Sequence, residues 1–477
     1  MRSVLLDRRA EPLRSRIAVA TGSTVLAGAT LGLGAGLALV ATRFGSAAPV
    51  VLLAIPVMTI LTVAALGYPP LAVMIVFASF PVGLIDLPSG IVNVVQGSVL
   101  FATGLVAIHR VATGRAPLAW SPPLWWALAL VVWTLISLTS AVSSLLALKQ
   151  LAALVGGVLF AALIVGACRS TSELRQVLAV YVASSTLTAT IALLSSAQFE
   201  SSFQGATVGG RLQGAFGSPN QLGSLCGAAA LVAVGLLLGS RSTRGRLASG
   251  AAIIILVSAL ALSLSRGAWI GLALGVLFLL VKLREARRAA IMVGVALLVA
   301  AVFSGYYAAE NTQIQVIEER LGAISTTSPY DERSAIWREA IREIKSDPWT
   351  GQGPGGFPVA SLRPGSEAST VYAEHAHSIA LTWAAEAGLP ALVLICGLAL
   401  AVGRTVGKAA ALANTRGDPR DRALVLGIGA ALLLVLGQGI VDYTVRNSVL
   451  FITVWGLVGA TIAAWRIGVQ ESARRTL

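Results

Sequence analysis

"HAHSIALTWAAEAGLPALVLICGLALAVG", residues 375–403, sets two histidines at the mouth of a long apolar run. From Ser378 onward that run is long enough to cross a hydrocarbon core as a helix. It decides the fold class because similar runs recur along almost the whole chain. Of the 477 residues, 56% are hydrophobic and only 12% charged, with mean hydropathy +0.82, against roughly 25% charged in a soluble domain. The chain is therefore expected to be an all-α, polytopic membrane protein.

About 14 such runs fall near 17–42, 48–66, 69–85, 95–112, 123–142, 150–168, 175–198, 219–239, 250–265, 267–282, 288–307, 378–403, 422–445 and 448–466. Those at 69–85, 95–112, 250–265 and 267–282 are short or broken by Pro and Gly, so the expected count is about 12 to 14 transmembrane helices. In the first, Gly28, Gly32 and Gly36 recur at the four-residue spacing that lets helices approach closely.

Arg2, Arg8, Arg9, Arg14 and Arg16 precede the first run, which ends without a small-residue cleavage site; a retained signal anchor with a cytoplasmic tail is expected. Threaded from there, alternate loops are basic, with clusters at Arg241, Arg244 and Arg246, at Lys282, Arg284, Arg287 and Arg288, and at Arg404, Lys408, Arg416, Arg420 and Arg422. The net charge of +14 is then mainly a topology signal, with membrane lipids as partners, and not a nucleic-acid footprint.

One loop breaks the rhythm. Residues 308–377 form a long extracytoplasmic insertion rich in carboxylates, dividing the chain into an N-terminal bundle, 1–307, the loop domain, 308–377, and C-terminal helices with a tail, 378–477. A loop of that length is expected to fold. Within it "SPYDERSAIWREAIREIKSDP", 328–348, reads as an amphipathic helix: Ser328 and Asp331 are spaced as a capping box, Ile336, Ala340, Ile341 and Ile344 form a stripe, and Pro348 ends it. The "GQGPGG" that follows, 351–356, contains G-x-G-x-x-G, but no strand precedes it and Pro354 interrupts it, so a turn is expected and not a phosphate cradle.

Cys168, Cys226 and Cys396 lie in or beside apolar segments and read as small hydrophobes. His375 and His377 lack partners for a metal, since the third histidine, His109, belongs to the opposite face; no metal and no cofactor are expected. Four polar groups stand out on the outer side: Arg211, Arg266, Arg333 and His377. Arg266, tight between two apolar segments, is costly there unless it meets an anion. Several fixed guanidiniums suit a phosphate or pyrophosphate at the membrane surface, and a neutral histidine beside them suits proton removal from a hydroxyl. Glu386, nine residues past His377 on the same helix, is a candidate for orienting His377 or binding acceptor. Asp442 and Arg446, four apart, read as a structural pair.

"GRLQGAFGSPNQLG" at 210–223, "SRGAW" at 265–269, "RSAIWREAIREIKSDPWTGQGPGGF" at 333–357 and "HSIALTWAAEAGLPALV" at 377–393 together resemble the O-antigen ligase and O-antigen polymerase superfamily of bacterial envelope enzymes. His377, Ser378 and Gly388 match the ligase motif with its spacing intact, and Ala391 departs from its last position, which leaves ligase against polymerase open. The resemblance implies a fold of the C-type glycosyltransferase kind in the bacterial cytoplasmic (inner) membrane, with an extracytoplasmic active site. The implied reaction is metal-independent, inverting transfer from a polyprenyl-pyrophosphate-linked glycan to a hydroxyl of a glycan, lipid or protein acceptor. By matched position, His377 would be catalytic and Arg211, Arg266 and Arg333 would bind the donor pyrophosphate. A lipid-linked oligosaccharide flippase or another multi-helix transporter is the alternative.

Overall fold

The computed structural model describes residues 61–86, 93–116, 119–195, 200–203, 206–209, 211–283, 333–363 and 375–476, with the single positions 294 and 373. The runs expected at 17–42 and 288–307, most of 48–66, the Arg-rich tail, Arg284, Arg287, Arg288 and the capping box at Ser328 and Asp331 lie outside the described residues.

Every other expected run is a helix, and the protein is an all-α polytopic membrane protein. After a helical stretch at 61–67 come α1 (Pro70–Ala78), α2 (Val94–Ala112), α3 (Pro123–Ser137), α4 (Ser144–Ala167) and α5 (Thr171–Leu194). A two-stranded antiparallel hairpin, β1 (Glu200–Phe203) and β2 (Ala206–Gly209), precedes α6 (Pro219–Gly239), α7 (Thr243–Leu262) and α8 (Arg266–Lys282). Then follow α9 (Arg333–Ser346), the short α10 (Phe357–Ala360), α11 (Ile379–Thr415), α12 (Pro419–Gly439) and α13 (Ser448–Thr476). Among the described residues, nine helices are long and apolar enough to cross a membrane.

The helices start where side chains can satisfy their free amides. Asn93 and Gln96 form a capping box on α2, with both bonds at 3.1 Å, and Asn93 Nδ2 also donates to Ser448 Oγ at 2.8 Å, tying α2 to the start of α13. Ser170 and Glu173 do the same for α5, and Ser265 and Ser378 cap α8 and α11.

Helix α6 is the centre of the bundle, almost wholly buried and packed by α5, α7, α8 and α12. Its approach to α12 is backbone to backbone: a Cβ added to Gly235 would lie 2.9 Å from Ala423 O, and one on Gly427 would lie 2.9 Å from Leu231 O. Between helices in lipid, where apolar surface alone gives little drive to associate, such small-residue contacts let dispersion act over the full length. The segment 333–363 keeps a separate small core of Ile336, Ala340 and Phe357 against Ala376 and Ala385. The expected apolar stripe of the amphipathic helix is thus split, with Ile336 and Ala340 buried, Ile344 half-buried and Ile341 exposed.

Candidate functional site

At one end of the bundle the starts of α6, α8 and α11 meet the turn between α12 and α13, and α9, packed on α11, brings its first residue, Arg333, to the same cavity. Asn220 is the second residue of α6, Arg266 the first of α8, and His377 immediately precedes the cap of α11. Helix starts present amide donors and a partial positive charge, so this end is electrostatically prepared for an anion before any side chain is counted.

Three arginines, the first and last of them more than a hundred residues apart in sequence, converge there. Arg211, Arg266 and Arg333 line one small cavity of about 50 Å³, together with Asn220, Ser265 and Asp442. Arg211 is held by its Nε to Ser263 O at 3.1 Å and by its Nη2 to Asn220 Oδ1 at 3.0 Å. Asn220 in turn donates from Nδ2 to Asp442 Oδ2 at 2.6 Å, and its own carbonyl accepts from Gln438 Nε2 at 3.1 Å.

Asp442 joins this basic cavity to the histidine. His377 Nδ1 lies 3.2 Å from Asp442 Oδ1, and His375 Nε2 lies 3.9 Å from the same oxygen. With Nδ1–H donated to the carboxylate, Nε2 is left as the basic nitrogen of His377. Burial alone would raise the Asp442 carboxyl, but the two imidazoles beside it outweigh burial and hold it below the usual carboxylate range. His375 is likewise held below the usual imidazole range: burial lowers it, and the neighbouring His377 adds to that against the pull of Asp442. The two rings lie with centroids 4.4 Å apart.

Backbone strain marks the same place. Leu264 (φ +50°) and His377 (φ +47°) are the non-glycine residues with positive φ among those described, one lining the basic cavity and the other carrying the imidazole. Such conformations persist where surrounding structure over-determines them, and they gather at working sites.

Glu386 is placed elsewhere. Its carboxylate accepts from Gly355 N at 2.9 Å and Phe357 N at 3.4 Å, so its described bonds go to the glycine-rich loop and not to His377. That loop sits on a break in α11 at Gly388 (φ +79°), where an added Cβ would come within 1.8 Å of Trp349 O. Leu389 N donates to Pro348 O and Gln352 N donates to Ala385 O, both at 2.9 Å. Trp133 Nε1 donates to Ala387 O at 2.8 Å, so backbone groups at the break keep partners. The fixed interval from His377 to Gly388 thus measures the distance from the site to the docking point of the loop. "GQGPGG" is a turn-rich connection, as its sequence indicates.

The sequence reading missed Asn220 and Asp442 as site residues. Asp442 was expected to pair with Arg446; its described side-chain partners are His377 and Asn220, with Tyr443 N donating to Oδ1 at 2.8 Å. The signal was present, since Asp442 is a carboxylate stranded between two apolar segments just as Arg266 is a stranded guanidinium. Asp442 also supplies the third group that the two histidines lacked: His375, His377 and Asp442 each offer a ligand atom, all within 4.8 Å of one another.

Fold and site together define a polytopic membrane protein with a basic cavity beside a buried Asp442 that holds the half-buried His377. Residues 250–396 match the family model described as O-antigen ligase, a segment that contains Arg266, Arg333, His377 and Gly388 but stops short of Asp442. That match supports the O-antigen ligase and polymerase superfamily for this chain and indicates a function of that type. No curated protein matches the chain.

Proposed function

We propose that the chain is a glycosyltransferase that moves a glycan from a polyprenyl-pyrophosphate donor to an acceptor hydroxyl at the outer face of the bacterial cytoplasmic membrane, with inversion and without a metal. The observation that carries this reading is the adjacency of the Arg211, Arg266 and Arg333 cavity to the His377–Asp442 pair.

In this reading the acceptor oxygen attacks the anomeric carbon from the side opposite the pyrophosphate, and direct displacement inverts that centre. The carbon–oxygen bond to pyrophosphate breaks as the new glycosidic bond forms. The acceptor's proton passes to His377 Nε2, and Asp442 stabilises the imidazolium. Negative charge grows on the departing polyprenyl pyrophosphate, where fixed guanidiniums and the start of α8 are already oriented to receive it. The same three guanidiniums argue for a metal-free site, because they disfavour a cation beside His375, His377 and Asp442.

An apolar cavity of about 350 Å³ begins beside the site at Ile379, Trp383 and Val445 and continues among α11, α12 and α13. It supports an isoprenoid tail on the donor. The loop 308–377 is proposed as a domain covering the donor site, contributing Arg333. The basic loops at the opposite end support placing the His377 end outside the cytoplasm.

The lipid-linked glycan pool of the native host tests this. With His377→Ala or Arg266→Ala, accumulation of single repeat units indicates a polymerase, and accumulation of long lipid-linked chains indicates a ligase. An unchanged pool, with variant proteins at normal levels, overturns the glycosyltransferase reading, and activity abolished by a chelator and restored by a divalent cation overturns its metal independence.

A further inference from the structure

At the end of the bundle opposite His377, a second cavity of about 360 Å³ is lined by Arg110, Arg115, Arg169, Arg466 and Arg474, contributed by α2, the turns after α2 and before α5, and α13. Among the described residues no Asp or Glu lines it. We infer that this cavity is a binding site for a phosphate-bearing anion, independent of the site at His377.

Topology alone explains why arginines are abundant on one side of a membrane protein. It does not explain why five of them face one cavity, since gathered like charges repel and the chain must hold them against that repulsion. The same end shows how this protein treats arginines with a structural task. Arg175 Nη2 bonds Asp421 Oδ1 at 3.0 Å, Arg416 Nη2 bonds Asp421 Oδ2 at 3.4 Å, and Arg416 also pairs with Glu471. Both of these guanidiniums meet a carboxylate.

Around the second cavity the bonds go otherwise. Arg110 is fixed by donating from Nε to Ala116 O at 2.7 Å and from Nη1 to Gly166 O at 3.5 Å, which orients a charge without neutralising it. Arg169 Nη2 lies 3.1 Å from His109 Nε2, whose other nitrogen faces Leu66 O at 2.7 Å; with Nδ1 as donor to that carbonyl, Nε2 is an acceptor and likewise carries no negative charge. Glu173, the carboxylate next to Arg169 in sequence, is spent on the cap of α5, its Oε2 accepting from Arg169 N at 2.6 Å and Ser170 N at 3.2 Å. Arg115, Arg466 and Arg474 have no carboxylate partner among the described residues.

Two oriented guanidiniums and three without a carboxylate suit several phosphate oxygens at once, since guanidinium offers paired donors to them. Val165 and Ile467 add an apolar wall. Two sources present this chemistry: the headgroup of an anionic phospholipid, and a free phosphate or pyrophosphate.

The test uses the full chain purified in neutral detergent, with thermal unfolding followed during titration by phosphatidylglycerol, by phosphatidylcholine, and by inorganic pyrophosphate at constant ionic strength. Stabilisation by phosphatidylglycerol over phosphatidylcholine identifies a headgroup site, and stabilisation by pyrophosphate identifies a free-phosphate site. In Arg115→Gln/Arg474→Gln, two exposed positions, half-saturation should move upward at least about tenfold. The exposed pair Arg404→Gln/Lys408→Gln, also basic but outside the cavity, should leave it unchanged. The inference is overturned if neither anion stabilises the protein, if both double variants respond like the unmodified chain, or if the stabilisation disappears only in Arg211→Gln, which would assign it to the other end.

Discussion

Two buried carboxylates at opposite ends of the bundle, Asp421 and Asp442, take different partners. Around Asp421, arginine and carboxylate side chains close on one another: Arg175, Arg416 and Thr171 Oγ1 all reach its oxygens, and little is left to offer a ligand. Around Asp442, the carboxylate takes imidazole and amide partners while the arginines of the same neighbourhood line a cavity. The difference is which groups each carboxylate takes as partners. A buried carboxylate closed by two guanidiniums is an anchor, whereas guanidiniums that line a cavity beside an oriented imidazole are placed where an anion could be received.

The most severe way to break the His377 end is to remove the proposed base, His377, or the carboxylate proposed to orient it, Asp442. His377→Ala should reduce transfer by about 10²–10⁴-fold, and Asp442→Asn, which keeps the shape but no longer favours the Nδ1–H tautomer, should fall in the same range, measured as glycan transfer by protein of normal abundance. Loss of activity in His377→Ala with full activity in Asp442→Asn would remove Asp442 from the mechanism.

Arg266 separates charge from geometry. Arg266→Lys keeps the charge but loses the planar fork, and transfer should drop by about 10-fold or more, with Arg266→Ala lower still. Equal activity of the Lys variant and the unmodified chain would mean that a point charge suffices there.

How much of this contrast could be read from sequence depends on whether the meaning of a residue is local. Helix positions were legible because hydropathy is a local property, and Arg266 was legible because a guanidinium between two apolar runs is anomalous wherever the fold puts it. Asp442 carried the same anomaly, but Arg446 stood four residues on and offered a local partner; only the tertiary packing of α6, α11 and the α12–α13 turn brings His377 and Asn220 to it. Glu386, as a group to orient His377, misled in the other direction. Its placement nine residues along α11 suggested His377, and nothing local told that the helix breaks at Gly388 and that the glycine loop would bring two amides to the carboxylate.

Stability distinguishes anchor from site. Asp421→Asn should leave glycan transfer by the folded protein unchanged while costing about 1–3 kcal/mol, seen as a lower unfolding temperature, because it weakens bonds to two half-buried or buried guanidiniums. Gly388→Ala should cost about as much, since a side chain at φ +79° would also meet Trp349 O, and the loss should appear first as local opening of the 348–357 loop in hydrogen exchange. If Asp421→Asn instead abolished transfer in a fully folded protein, the division between Asp421 as an anchor and Asp442 as part of the proposed site would be wrong.

The smallest expected effect lies between the two extremes, at Glu343. This carboxylate on α9 is buried, its oxygens have no hydrogen-bond partner among the described residues, and burial, with Glu339 and Glu386 nearby, pushes it up to about 8. It is neither paired like Asp421 nor turned to a site like Asp442. Because the folded state holds the proton more tightly than the unfolded chain does, the protonated form favours docking of α9, that contribution is complete below the unfolded pKa, and it is lost as pH rises through the interval toward about 8. Hydrogen exchange of α9 amides should therefore speed up between mildly acidic and mildly alkaline pH beyond the intrinsic chemical effect. Glu343→Gln, neutral at every pH, should flatten that dependence and stabilise α9 by about 1 kcal/mol at the alkaline end. An unchanged profile in Glu343→Gln would mean that the carboxylate finds a counter-charge when α9 is docked, and Glu343 would then join Asp421 as an anchor.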